Sequence, residues 1–261
     1  MLTEKITVRY QGREFELATS SRRSSDDLIL FIHGLGCTKE NFEDVWSCSE
    51  LNGISLLTFD LIGYGSSSKP ADFSYSMEDH AALCRELLIH FPHRRLHLVA
   101  HSMGGAIGIL LADMLDTLDT FINVEGNLIG SDCSVSRKTV SVSLEEFRDG
   151  FFEKLRHNAW KHDSRGSQVW AALSEHSDIT GFYRSAQSLV KLSDSGELLR
   201  RFLLLQFKKV YIYGEENAGA EAITHLQGIP TVCIPKSGHF PMSDNPDEFY
   251  YRIAEIINKE K

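Results

Sequence analysis

The chain predicts an α/β fold, a mostly parallel, doubly wound sheet with a helical cap inserted late in it. Three observations carry this. Six short apolar runs, at 28–32, 54–59, 96–100, 121–124, 210–213 and 231–234, lack the alternation of a half-exposed strand. Such runs fit strands covered on both faces. Between them lie stretches whose apolar residues recur at helical spacing, about 39–51, 76–91, 103–116 and 246–259, and strands alternating with helices imply a parallel sheet. From Gly126 to Arg201 no strand run occurs. A structureless loop of that length is rare in a compact domain, so 126–201 is expected to be a helical cap on a core made of 1–125 and 202–261.

The elements begin with a hairpin. Ile6, Val8 and Tyr10 share one strand face, Gln11-Gly12 supplies a turn, and Phe15 and Leu17 open a partner strand, an arrangement suited to a sheet edge. Residues 19–27, rich in Ser, Arg and Asp, are expected to form a loop. The inserted stretch carries Phe147, Phe151, Phe152, Trp160, Trp170, Phe182 and Tyr183. These suit an apolar pocket or the cap's own core.

Bulk properties bound the function. At 261 residues, 42% hydrophobic and 24% charged, the chain can bury a core without disulfides or metals. A formal net charge of −9 argues against nucleic acid or an anionic membrane as partner, since both call for a basic face. The five cysteines form no CxxC pair and are odd in number, which fits free thiols in a reducing compartment. Met1-Leu2-Thr3-Glu4-Lys5 lacks the basic end and apolar stretch of a signal peptide. No apolar run approaches the roughly 18 residues of a membrane span. The expected location is cytoplasmic.

The strand Leu96–Ala100 leads into His101-Ser102-Met103-Gly104-Gly105 and then a helix. A serine at the apex of a sharp strand-to-helix turn needs small neighbours, usually G-x-S-x-G, and here Ala100 takes the first position. At a helix start its oxygen gains from exposed N–H groups and the helix dipole. A serine that merely caps the helix is the plainer alternative, but the glycine pair and the buried strand favour Ser102 as a nucleophile.

This segment resembles the nucleophile elbow of the α/β-hydrolase family. Phe31-Ile32-His33-Gly34-Leu35-Gly36 resembles the family's HG-type oxyanion loop, and Asp60-Leu61-Ile62-Gly63-Tyr64-Gly65-Ser66-Ser67 its D-x-x-G-x-G-x-S turn. The three stand in family order, and with the histidine below the resemblance spans nearly the whole chain outside the cap. A carbonyl under attack develops negative charge that preorganised N–H donors should meet. The N–H of Met103 is one donor, and the resemblance implies that of Leu35 as the other. His33 is expected to hold this loop by hydrogen bonds rather than act as a base.

Among eleven histidines, His239 has the context of a base. It lies in Pro235-Lys236-Ser237-Gly238-His239-Phe240-Pro241, after the last strand and before the last helix, which resembles the family's catalytic histidine loop. His101 adjoins Ser102 but must leave the turn in another direction. His80, His90, His93, His97, His157, His162, His176 and His225 are read as surface or packing residues.

The third member orients the histidine and stabilises its charged form. The resemblance places an Asp three residues after a Gly following the seventh strand. That segment reads Tyr213-Gly214-Glu215-Glu216-Asn217, so Asn217 stands there and cannot supply charge. The end of the sixth strand offers Glu125, and haloalkane dehalogenases among the relatives carry a catalytic Glu at the corresponding position. Glu125 is therefore the expected acid, with Glu216 or Glu215 as alternatives, and a carboxylate oxygen is expected about 2.6–3.2 Å from Nδ1 of His239. Asp244 reads as a turn and helix-start residue.

No metal-ligand spacing, P-loop or dinucleotide fingerprint occurs, so neither metal nor cofactor is expected. The implied activity is ester hydrolysis through an acyl-enzyme, on a small or medium apolar substrate. Thioester or carbon–carbon bond hydrolysis would use the same groups. From another class, the chain could be a slow or inert ligand receptor built on a hydrolase pocket. Ser102 in place of Asp argues against epoxide hydrolase or dehalogenase chemistry.

Overall fold

A computed structural model of the protein describes residues 1–258. Eight strands form one sheet in the order β1-β2-β4-β3-β5-β6-β7-β8. β1 (Leu2–Tyr10) and β2 (Arg13–Arg22) make the antiparallel hairpin at one edge. β3 (Asp27–Ile32), β4 (Ser55–Phe59), β5 (Arg95–His101), β6 (Thr120–Val124), β7 (Lys208–Gly214) and β8 (Thr231–Ile234) run parallel to one another. In the hairpin turn Gln11 and Gly12 have φ of 51° and 73°, the left-handed pair that a two-residue connection of this twist requires. The expected loop at 19–27 is strand as far as Arg22, where β2 pairs with β4 from Thr19↔Phe59 to Arg22↔Leu56. Its polar side chains suggested a loop, but the backbone found a partner, and Thr19 Oγ1 donates to the Glu4 carbonyl at 3.1 Å.

Why the strands read as unbroken apolar runs is visible in their two faces. Leu28, Leu30 and Ile32 of β3 belong to one core, and Ile29 and Phe31 to another on the opposite side. α1 (Met77–Leu88) and α2 (Met103–Ala112) cover the first face. The second is covered by α8 (Pro246–Asn258) and by the turns that follow β3. Residue 259, expected to end that helix, lies outside the described residues. The expected helix at 39–51 is instead two 3₁₀ stretches, Lys39–Ser47 and Ser49–Leu51. Phe42, Val45 and Leu51 are buried in the second core with Cys48 packed against it, and a three-residue period aligns such side chains on one edge of a 3₁₀ helix. α2 stops at Ala112 rather than near 116, and all ten of its residues are buried; a helix apolar all round carries no periodic signal for its own end.

Between β6 and β7 lie α3 (Ser134–Val140), α4 (Phe152–Trp160), α5 (Arg165–Leu173), α6 (Ile179–Asp194) and α7 (Glu197–Leu204). The aromatic residues mostly pack on each other: the Phe147 ring centroid is 5.4 Å from Phe152 and 5.5 Å from Phe182. α7 leaves this group and packs on the sheet side, with Phe202 5.8 Å from Phe121 and Arg201 2.7 Å from Asp113. No helix among the described residues is long and apolar enough to cross a membrane.

The first turn of α2 is wedged between β3 and β6. A Cβ on Gly104 would lie 2.4 Å from the Ile32 carbonyl oxygen, and one on Gly105 would lie 2.3 Å from Asn123 Oδ1. Backbone carbonyls cannot rotate away as a flexible side chain can. Gly104→Ala should therefore destabilise the fold by about 1–3 kcal/mol, as overpacked cores do. A urea midpoint unchanged from wild type would show that the turn has slack.

Candidate active site

Ser102 stands where β5 ends and α2 begins, with φ 54° and ψ −120°. Such a backbone costs about 1–3 kcal/mol in a residue other than glycine and persists only when its surroundings hold it. They do here: the Ser102 N–H donates to the Val124 carbonyl at 3.0 Å, and the Ser102 carbonyl accepts from Gly105 at 2.8 Å and Asn127 at 3.3 Å.

His239 lies on the loop after β8, and its Nε2 is 3.0 Å from Ser102 Oγ. The loop is tied down on three sides. Asp244 Oδ2 accepts from the Gly238 N–H at 3.1 Å, Glu215 Oε2 accepts from the Lys236 N–H at 2.9 Å, and His101 Nε2 contacts the His239 carbonyl at 2.8 Å. A carbonyl only accepts, so His101 carries its proton on Nε2. Burial holds the pKa of His101 well below its ordinary value, aided by the neighbouring His239.

Glu125 follows β6 with φ 48°, its own N–H bound to the Ile212 carbonyl at 2.8 Å. Its carboxylate is buried and held twice: Oε1 accepts from the Gly214 N–H at 2.7 Å, and Oε2 accepts from the Asn217 amide at 3.0 Å. The same Oε2 lies 3.4 Å from His239 Nδ1, longer than the 2.6–3.2 Å expected from the sequence. Asn217 thus competes for the oxygen that faces the imidazole. Glu215 is engaged with Lys236 as above. The Glu216 carboxylate lies against Gly238, where a Cβ would meet it at 2.8 Å. Neither makes a hydrogen bond or ion pair with His239 among the described residues.

The loop after β3 is clamped to the turn after β4. His33 Nε2 accepts from the Leu61 N–H at 2.9 Å, so its Nδ1–H donates to the Gly34 carbonyl at 2.8 Å. Burial lowers the His33 pKa and keeps this tautomer neutral. Buried Asp60 accepts from the Lys39 N–H at 2.7 Å and the Ser66 N–H at 2.9 Å. Gly34 approaches the elbow so closely that a Cβ there would be 3.0 Å from Ser102 Cβ. The N–H groups of Leu35 and Met103 make no backbone hydrogen bond among the described residues, although both residues are buried. From the inserted helices, Trp170 Nε1 donates to the Leu35 carbonyl at 2.8 Å.

Sequence reading therefore missed four residues that shape this site. Trp170 reads as one aromatic among several, yet it holds Leu35. His101 secures the His239 loop. Asp244, read as a turn residue, joins that loop to α5, since its Oδ1 accepts from the Gly166 N–H at 2.7 Å. Asn217, seen only as a missing acid, is a donor to Glu125. All four roles join segments far apart in sequence, and no local pattern announces them. A cavity of ≈40 Å³ adjoins Ser102 and His239, with Trp170 and Leu189 of the inserted helices among the residues that line it. No group of three or more candidate metal ligands occurs among the described residues.

Comparison with known proteins bears on the family and the fold. The sequence profile described as the alpha/beta hydrolase family matches residues 29–252. A lipase of Psychrobacter immobilis, "Lipase 1", is 38% identical over 85 residues, which is 32% of this chain and 26% of that protein. "Probable lysophospholipase BODYGUARD 4" of Arabidopsis thaliana is 36% identical over 86 residues, 32% of this chain and 21% of that protein. The chain thus spans about a quarter of the length of these curated relatives. In structure, a thermophilic esterase from Thermogutta terrifontis superposes with a TM-score of 0.80 at 20% identity, covering 99% of both chains. An esterase from Exiguobacterium antarcticum gives 0.77 at 16% identity, covering 97% of this chain and 99% of that one. At such identities the likeness is one of fold.

The buried histidines make stability depend on pH. His33 and His101 are held neutral by burial, and burial under α6 pushes His80 down to about 3. In each case the folded pKa lies below the unfolded value of about 6.5, so below that pH the unfolded chain binds more protons. Their stabilisation is complete above pH ~6.5 and is lost as pH falls, by about 1.4 kcal/mol per pH unit for each histidine. Melting temperature should be level above neutrality and fall steeply towards pH 5. A flat profile across that window would contradict the buried neutral state.

Proposed function

Because the chain belongs to the alpha/beta hydrolase family, we propose that it is a serine carboxylesterase acting on small or medium esters, with Ser102, His239 and Glu125 as its triad. The observation that carries this reading is the 3.0 Å approach of His239 Nε2 to Ser102 Oγ, with the other ring nitrogen turned to a buried carboxylate. Lipases and esterases among the relatives support ester hydrolysis over the thioester and carbon–carbon alternatives.

In this mechanism Ser102 Oγ attacks the ester carbonyl while His239 Nε2 takes its proton. The oxyanion meets the N–H groups of Leu35 and Met103, whose freedom from backbone partners supports the role. His239 returns the proton to the departing alcohol and leaves an acyl-Ser102. Water, deprotonated by the same nitrogen, then releases the acid and restores the serine. Glu125 keeps the proton of neutral His239 on Nδ1 and stabilises the imidazolium. Asn217 and the Gly214 N–H hold that carboxylate in place. We assign the helices between β6 and β7 as a cap. The ≈40 Å³ cavity beneath them is far below the ~300–1,000 Å³ of ordinary ligand sites, so admission of an ester requires the cap to move. The free cysteines support a reducing, cytoplasmic setting.

Ser102→Ala should fold normally and lose nearly all esterase activity. A fluorophosphonate should label wild-type Ser102 rapidly, and an inert Ser102 would favour a receptor that keeps the pocket without turnover. For the acid, Glu125→Gln should lower kcat by roughly 10²–10⁴, whereas Glu216→Gln should cost little. The reverse order would move the acid to the segment after β7.

A further inference from the structure

One carboxylate ties the inserted helices to the loop that carries His239. Asp244 brackets the histidine: its Oδ2 accepts from the Gly238 N–H at 3.1 Å, just before His239, and its own N–H donates to the Phe240 carbonyl at 2.9 Å, just after. Its other oxygen serves α5. Oδ1 accepts from the Gly166 N–H at 2.7 Å and from Ser164 Oγ at 2.9 Å. Arg165, between them, donates from Nη1 to the Ser243 carbonyl at 2.9 Å. The first turn of α5 also rests directly on the loop, since a Cβ on Gly166 would lie 2.3 Å from Phe240 Cβ. The N–H groups and dipole at a helix N-terminus favour an anion there, and hydrogen bonds to an ionised acceptor are about twice as strong as neutral ones.

Resting on His239 as the base and on the helices between β6 and β7 as a cap, we propose that Asp244 is a positioning residue that makes the placement of His239 depend on the seating of α5. A carboxylate is rigid and planar, so its two oxygens do not serve the two segments independently. With α5 seated, two donors hold Oδ1, and Oδ2 is aimed at Gly238. With α5 lifted, Oδ1 loses both donors, the side chain is free to turn, and the Gly238 bond loses its support. The loop then keeps its ties to Glu215 and His101. The peptide before Gly238 keeps only the bond from the Glu216 N–H to the Ser237 carbonyl. The effect falls on the 3.0 Å approach of His239 Nε2 to Ser102 Oγ, because displacing a catalytic group by about 1 Å can cost ~100-fold in rate. Asp244 makes no hydrogen bond to Ser102 or to the imidazole among the described residues. It acts through the backbone on either side of His239.

The test measures turnover of 4-nitrophenyl acetate per mole of protein for Asp244→Asn and Ser164→Ala, each made in the wild type and in His239→Ala. Asparagine keeps the size of the side chain but has a donor in place of one acceptor oxygen, so it cannot hold α5 and Gly238 together. Asp244→Asn should lower kcat by roughly 10–100-fold with KM nearly unchanged, because acylation and deacylation both use His239. Ser164→Ala removes one of the two α5 bonds and should lower kcat by about 2–5-fold, at most the worth of one hydrogen bond. It should add little in Asp244→Asn, since two cuts in one linkage are not additive. In His239→Ala, where the residual rate comes from the other groups of the site, neither substitution should matter. Wild-type kcat in either variant would overturn the proposal. So would an equal fall in both backgrounds, which marks a loss of folded protein. A full Ser164→Ala effect in Asp244→Asn would also overturn it, because α5 would then act by another route. If Asp244→Asn does not fold, Ser164→Ala in the two backgrounds still decides. Turnover that survives His239→Ala unchanged removes the reading beneath, whereas an impaired His239→Ala with variants that act alike in both backgrounds removes only this inference.

Discussion

The site depends on one close approach, the first turn of α2 against the ends of β3 and β6. With Gly104 over the Ile32 carbonyl and Gly105 against Asn123, the helix starts within one residue of the strand's end. That abrupt start forces Ser102 into its left-handed backbone and turns its side chain out of the sheet. The same approach brings the Gly34 turn against Ser102 and sets the Asn127 amide beside it. Larger residues at 104 or 105 would move the helix off the sheet, and the serine, the Leu35 turn and Asn127 would part from one another.

Charge around His239 is arranged by competition more than by simple pairing. Glu125 is buried, and a buried carboxylate needs donors. It has the Gly214 N–H, the Asn217 amide and the imidazole. The two closer donors hold its position, and the longer reach to Nδ1 is what remains. Where the usual pattern has an acid, this chain has Asn217, whose amide donates to Glu125. The contact joins the ends of β6 and β7, with the buried carboxylate on the β6 side.

Much of this was legible in the sequence, for physical reasons that differ by element. The buried strands were visible because both faces are apolar, and Ser102, His33 and His239 because tight turns restrict residue type. Glu125 stood out only because Asn217 removed the ordinary choice. The 3₁₀ stretch at 39–47 was hidden because buried Phe42 and Val45 satisfy either helical period. The end of β2 was hidden because a polar strand end looks like a loop until its partner is known. Trp170 and His101 act across long sequence separations through single hydrogen bonds, and Asp244 through its bonds to α5 and its N-cap, none of which any spacing encodes.

The bond from Trp170 to the Leu35 carbonyl ties the order of events to the shape of the occupant. On the proposed cap motion, an outward swing of α5 would break this bond and leave the Leu35 turn held by its contacts with the turn after β4 alone. The indole could close again only over a guest that leaves it room, so one tryptophan would both limit the size of the substrate and steady the proposed oxyanion donor.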